Sequence, residues 1–318
     1  MSGTMKVLLD VDTGVDDSLA LLYALLKPEL EIVGISTVCG NVEASLAAEN
    51  TLKILDLLDA PDIPVVQGRE KPMEREWDGR VSVIHGDNGL GNADLPQSSR
   101  SLCEEDVCDF QMGLAEKYAG ELVLITLGPL TNVACTLLKY PEFAAKVKRV
   151  VMMGGTVKMR GNVSPVAEAN FAGDPKACDL VFMSGMDITA VGLDVTMRTR
   201  LKREHLEFLA QCCSGRARRA VEFINAAMVH YRLGNRVQNF CVDDCPLHDP
   251  LAVMAAVVPS LVRTEARKAR IECQGTYCRG MVVTDLREKP FESEYVNFAM
   301  EVDADRAVRE LLSVFWRE

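Results

Sequence analysis

The sequence predicts an α/β fold: one domain with an open, mostly parallel central sheet flanked by helices. Three observations predict it. Short apolar, β-rich runs alternate with stretches of helical period, the pattern of successive βαβ units. No Gly/Ser/Pro linker and no internal repeat divides the 318 residues, so 1–318 reads as a single unit. An α/β domain of that length buries about 75% of its unfolded surface, enough for a core without disulfide staples.

The elements follow in order. "KVLLDV", ending at Val11, is the first strand. From Asp16 onward Leu19, Leu22, Tyr23 and Leu26 keep helical spacing, and Pro28 closes that helix. Glu31 to Val38 is a second strand, followed after "CGN" by a helix from about Val42 to Leu58. Residues 69 to 110, rich in Gly, Asp and Ser, read as a long loop excursion, which inside a compact domain is usually functional. Leu122 to Leu127, Arg149 to Met153 and Ile188 to Leu193 are further strands. Helices fit Thr131 to Leu138, Asp174 to Met183, Glu204 to Cys212, Arg216 to Tyr231, Asp249 to Val257 and Asp303 to Phe315.

Composition narrows the function classes. With 48% apolar and 25% charged residues this is an ordinary globular chain. A net charge of −11 argues against a nucleic-acid partner, which calls for a basic patch. The one basic cluster, "GRARRAVEF" at Gly215 to Phe223, reads as the solvated face of a helix. The N-terminal apolar run is too short for a signal peptide, and no window reaches the roughly 20 apolar residues of a membrane span. These points place the chain in the cytoplasm, with no membrane partner. The eleven cysteines are scattered and mostly inside apolar segments, as buried thiols are in a reducing compartment. Cys241/Cys245 near His248, and Cys273/Cys278, approach zinc-ligand spacing, but neither pair has a second half-site.

In open α/β sheets the site lies outside the carboxyl ends of the strands. The first strand runs into "DVDTGVDD", which holds Asp10, Asp12, Asp16 and Asp17. The second runs into Asn41, Leu122–Leu127 into "GPLTN", and Arg149–Met153 into "GG". This rim collects carboxylates, an amide and backbone carbonyls, and it has no Gly-x-Gly phosphate cradle. It suits a hard cation and hydroxyl groups.

Crowded carboxylates repel and raise one another's pKa unless a cation or proton sits among them. A bland reading makes Asp16 and Asp17 N-terminal helix acids, favoured by the helix dipole, but leaves Asp10 and Asp12 unexplained. An EF-hand loop fails, because Val15 and Leu21 stand where Gly and an acid are needed. A haloacid-dehalogenase-type phosphatase also carries Asp-x-Asp after its first strand. Here Thr13-Gly14 is in the wrong order for it, and Asp16-Asp17 has no role.

"DVDTGVDD" resembles the N-terminal motif of the calcium-dependent nucleoside hydrolases, the inosine-uridine preferring type. The resemblance continues through "CGN" (Cys39 to Asn41), "HGDNGLG" (His85 to Gly91), "LGPLTN" (Leu127 to Asn132) and "MGG" (Met153 to Gly155). It runs on through "GNVSPVAEANFAGDPKA" (Gly161 to Ala177) to "LHDPLAV" (Leu247 to Val253). The blocks keep the family's order over residues 6 to about 257, which makes them specific together.

The resemblance implies hydrolysis of the N-glycosidic bond of a purine or pyrimidine ribonucleoside, through an oxocarbenium-like transition state. It implies Ca²⁺ as cofactor, held by Asp12, Asp17, Asp249 and the main-chain carbonyl of Leu127. Asp12 is implied as general base and His248 as the group assisting departure of the base. Asp16, Asn41, His85, Met153, Asn162, Glu168, Asn170 and His248 are implied to contact the substrate, and Asp10 to orient the loop from behind. His230-Tyr231 is open between a base-pocket role and a surface or core role; His205 reads as a surface helix residue. Ala169 stands where the family often has an aromatic, and Thr13 where Pro is frequent. The resemblance also implies a homodimer or homotetramer. A non-catalytic nucleoside- or sugar-binding protein is the remaining alternative.

Overall fold

The computed structural model describes residues 3–316. Its centre is a nine-stranded sheet. The first 191 residues supply β1 (Met5–Val11), β2 (Leu30–Thr37), β3 (Val65–Gln67), β4 (Val123–Thr126), β5 (Arg149–Met153) and β6 (Ile188–Val191). Two short strands, β7 (Arg200–Lys202) and β8 (Asp244–Pro246), pair antiparallel away from it. Then β9 (Val262–Ile271), β10 (Val282–Thr284) and β11 (Tyr295–Val302) complete the large sheet.

The strand order is β10-β9-β11-β6-β5-β4-β1-β2-β3. From β3 to β11 every neighbouring pair is parallel, and only β9 breaks the rule, running antiparallel to both β11 and β10. The expected open, mostly parallel sheet is therefore present. Both edges differ from the sequence reading, which placed no strand at Val65–Gln67 and none after Leu193. β9 reads "VRTEARKARI": its solvent face is charged, so no apolar run marks it.

Apolar side chains alternate along β1 because the sheet is covered on both faces. Val7, Leu9 and Val11 face one core with helices Val15–Leu26, Ala44–Leu57, Gly215–Asn239, Asp249–Val257 and Ala304–Ser313. Leu8 faces the other, with helices Val107–Lys117, Thr131–Lys139 and Pro175–Phe182. The helix expected to end at Tyr231 runs on to Asn239, where Phe240 takes a left-handed conformation (φ 56°) and stops it. The arginines of "GRARRAVEF" are exposed, as expected of a solvated face. The excursion 69–110 is mostly irregular, interrupted by one helical turn, Ser82–His85, and ending in the start of the Val107–Lys117 helix. Among the described residues no helix is long and apolar enough to cross a membrane.

Strand order reverses between β1 and β4, where Asp10 pairs with Thr126. Loops leaving a sheet at such a point diverge to opposite faces and open a crevice. The acidic loop and Leu127 meet there.

Candidate active site

Asp16 and Asp17 occupy the first turn of helix Val15–Leu26, and Asp249 is the first residue of helix Asp249–Val257. Two helix N-termini thus aim their positive ends at the acids. Gly14 permits this approach. A Cβ there would lie 2.4 Å from His85 Nδ1 and 2.8 Å from Asn41 Nδ2, so no larger residue fits beneath those side chains.

One oxygen each of Asp16, Asp17 and Asp249 lie within 4.8 Å of one another, all three residues buried. Asp12 stands beside this triad. Its Oδ2 accepts the Asn41 N–H at 2.8 Å, and its backbone N–H donates to Asp17 Oδ1 at 3.2 Å. Asp17 Oδ2 accepts from the Gly14 N–H (2.9 Å) and from Asn41 Nδ2 (3.1 Å). Asn41 therefore braces both acids at once. Asp12 Oδ1 and Asp16 Oδ1 are buried with no hydrogen-bond partner among the described residues.

Burial pushes all four carboxyls up. Asp16 and Asp17 rise to about 6, the latter also through Asp16 beside it. Asp12 and Asp249 go further, burial being joined by the neighbouring acids. Among the described residues no lysine or arginine ion-pairs with any of them. Unbalanced negative charge of this density is stable only with a proton or cation within it.

Asp10, two residues before Asp12, does not join them. Its Oδ1 accepts from Ser36 Oγ and from Asn132 Nδ2 at 2.7 Å, and burial raises its pKa to about 7.

The eight residues expected to contact substrate all line one cleft: Asp16, Asn41, His85, Met153, Asn162, Glu168, Asn170 and His248. Leu127 and Asp249 line it too, Asp12 opens onto the adjoining recess, and Asp17 lies beneath. Asn170 Nδ2 donates to the carbonyls of Leu127 and Met153, the latter at 3.1 Å, which leaves Oδ1 as its free acceptor. Glu168 caps helix Ala169–Gly173, accepting the N–H groups of Gly155 (2.9 Å), Asn170 (2.9 Å) and Phe171 (3.2 Å). Burial raises its pKa to about 7. Asn162 Oδ1 accepts the Ala169 N–H at 3.0 Å, so Asn162, Glu168 and Asn170 lie along one hydrogen-bonded wall of the cleft.

Burial favours the neutral form of both cleft histidines. Burial lowers His85 to about 4 and His248 to about 3. His85 Nδ1 accepts the Val15 N–H at 3.2 Å, which assigns the ring proton to Nε2. His248 Nδ1 pairs with Thr196 Oγ1 at 2.8 Å. His230 points elsewhere, its Nε2 on the Ser82 carbonyl at 2.8 Å, whereas Tyr231 is fully buried in the cleft and donates to Asp16 Oδ2 at 3.0 Å. His205 caps its own helix through the Lys202 N–H.

Sequence reasoning missed Asn235, Gln238 and Asn239, which line the cleft from the last turns of the long helix. The run of amides was visible, but with the helix ended at Tyr231 nothing placed it near the site. The cysteines form no disulfide, and among the described residues the group of three or more acidic, cysteine or histidine side chains close enough to share an ion is Asp16/Asp17/Asp249, which includes neither cysteine pair.

Comparison with known proteins shows the family of the chain. The model of a family described as inosine-uridine preferring nucleoside hydrolase matches residues 7–309. Uridine nucleosidase 1 of Arabidopsis thaliana is 38% identical over 280 residues, 88% of this chain and 82% of its own. The pyrimidine-specific ribonucleoside hydrolase RihA of Klebsiella pneumoniae is 31% identical, with 96% of each chain covered. Among solved structures, a plant nucleoside hydrolase, PpNRh1, superposes with a TM-score of 0.93 at 32% identity over 99% of both chains. A purine-preferring ribonucleoside hydrolase from Gardnerella vaginalis gives 0.91 at 34% over 98% of both. The family match spans nearly the whole length, and this chain belongs to the inosine-uridine preferring nucleoside hydrolases.

Proposed function

We propose that the protein hydrolyses the N-glycosidic bond of purine or pyrimidine ribonucleosides to ribose and free base, with calcium as its resident ion. The observation that supports the ion is the buried triad Asp16/Asp17/Asp249 beside two partnerless oxygens, Asp12 Oδ1 and Asp16 Oδ1. An all-oxygen donor set of carboxylates and a nearby carbonyl fits a hard cation. Asp12, Asp17, Asp249 and the Leu127 carbonyl would hold it, with Asp16 inside the same cluster. When bound, the ion supplies positive charge that collects ribose hydroxyls and water as oxygen ligands.

The protein's own groups divide the remaining work. Asp12 takes the proton of the water that adds to C1′, its carboxylate held in orientation by the Asn41 N–H. The C1′–N electron pair leaves with the base. His248, neutral in its buried setting, offers an N–H to that base as negative charge develops. Asp16, Asn41, Asn162, Glu168 and Asn170 fix the ribose, and His85 and Met153 close the cleft around it.

The phosphatase alternative falls with the family assignment. A binding protein without turnover is separated from an enzyme by one assay: ribose release from a panel of nucleosides, with chelator and with calcium restored. Ribose should appear, vanish on chelation and return with calcium. No ribose from any nucleoside would overturn the activity, and chelator-insensitive turnover would overturn the ion. The accompanying assembly we propose is a homodimer or homotetramer, read by light scattering on the purified chain.

A further inference from the structure

We propose that Asn132 is a positioning residue for this site: it ties together the carboxyl ends of β1, β2 and β3, so that the loop after β2 presents Asn41 to Asp12 and Asp17. The proposal rests on the roles given above to those two acids.

Asn132 is fully buried in the first turn of helix Thr131–Lys139. Its Nδ2 donates to Asp10 Oδ1 at 2.7 Å, in β1, and to the carbonyl of Thr37 at 2.9 Å, the last residue of β2. Its Oδ1 accepts the N–H of Arg69, two residues past β3, at 2.9 Å. One amide thus joins three strand ends with two donors and one acceptor. Aspartate offers no donor, leucine offers nothing, and serine cannot reach all three partners.

The strands leave no room for a looser arrangement. A Cβ on Gly68 would sit 2.2 Å from the Thr37 carbonyl and 2.5 Å from both ends of the Asn132 amide. From Thr37 the chain reaches Asn41 in four residues. On the way Cys39 N–H is pinned to the Arg69 carbonyl at 3.0 Å, the same residue whose N–H the amide holds. Asn41 then meets Asp12 Oδ2 with its backbone and Asp17 Oδ2 with its side chain. Moving Thr37 or Arg69 moves Asn41. Misplacement of about 1 Å at a reacting group costs on the order of 10²-fold in rate.

The test compares Asn132→Ala with Gln111→Leu in the full chain. Gln111 belongs to the same buried network through Ser36 Oγ (3.0 Å), Asp10 Oδ1 (3.4 Å) and Thr136 Oγ1 (2.8 Å), but its side chain hydrogen-bonds neither Thr37 nor Arg69. Both variants lose thermal stability. Per folded molecule, Gln111→Leu keeps kcat and calcium affinity within about twofold. Asn132→Ala loses ~10–100-fold in kcat, binds calcium about tenfold more weakly by calorimetry, and loses amide-exchange protection across residues 37–41. If Asn132→Ala matches Gln111→Leu in all three readouts, Asn132 is scaffold only and the proposal is overturned. Should Asn132→Ala fail to fold, Gly68→Ala strains the same junction from the strand side and is held to the same outcomes. Exchange at residues 37–41 needs neither ion nor substrate, so it tests the proposal even if ribose release fails.

Discussion

Tyr231 and Asp16 stand 215 residues apart in the chain and share a hydrogen bond of 3.0 Å in the wall of the cleft. The other Asp16 oxygen lies 3.7 Å from His85 Nδ1, and the Tyr231 and His85 rings pack at 5.7 Å. The long helix, the excursion loop and the acidic loop therefore converge on one carboxylate. Tyr231→Phe keeps the packing and removes only the donor. A hydrogen bond to a charged group is worth about 1.5–3 kcal/mol, so kcat/KM should fall by roughly 10–100-fold. Steady-state kinetics alongside a melting curve check this; unchanged kcat/KM would show that Asp16 needs no such brace.

Asp17 is fully buried and takes three hydrogen bonds, one of them from Asn41. Asp17→Ala should cut both calcium retention and activity, because a carboxylate is lost from the centre of the cluster. Full activity of this variant after exhaustive chelation would contradict the assignment.

Asp12→Asn retains an oxygen for the Asn41 N–H and for the ion but cannot take a proton. It should lower kcat by about 10²–10⁴-fold, with much less loss in binding of a ribose analogue. Equal kcat in variant and parent would mean that another group activates the water.

His248 lies next to Asp249 and lines the cleft, paired with Thr196. A natural base is a poor leaving group and needs its developing charge relieved, whereas p-nitrophenolate needs little help. His248→Ala should slow hydrolysis of natural nucleosides by ~10²–10⁴-fold while p-nitrophenyl riboside turnover barely changes. Equal losses on both substrates would assign His248 to structure or sugar binding instead.

Calcium should also stabilise the fold. Four buried carboxyls with raised pKa values repel when ionised, and a ligand that binds only the native state adds about 2.7 kcal/mol at 100 times its Kd. The melting temperature at pH 7 should rise with calcium and drop on chelation. A melting curve indifferent to calcium at millimolar concentration would argue against the site.

The sequence alone determined five parallel strands of the sheet, β1, β2, β4, β5 and β6, the rim at their carboxyl ends and the set of polar residues gathered there, but not the short edge strand β3. Those features are local. An apolar run fixes a buried strand, a Gly-Asp turn ends it, and the acids that follow within eight residues must share its mouth. The motif blocks then named Asp12, Asp16, Asp17, Asn41, Asn170 and Asp249, and folding brought them all to the same mouth. Only the tertiary structure decided how their atoms face one another. It put Asp16 rather than Asp12 in the close carboxylate triad, turned Asp10 away toward Asn132, and chose Tyr231 over His230 for the cleft. It also supplied Asn235, Gln238 and Asn239, and an antiparallel edge whose charged face hides its strand character. The physical reason is range. Periodicity and turn chemistry act over a few residues, whereas the direction of a buried oxygen is set by whichever helix packs over it, here one more than 200 residues downstream.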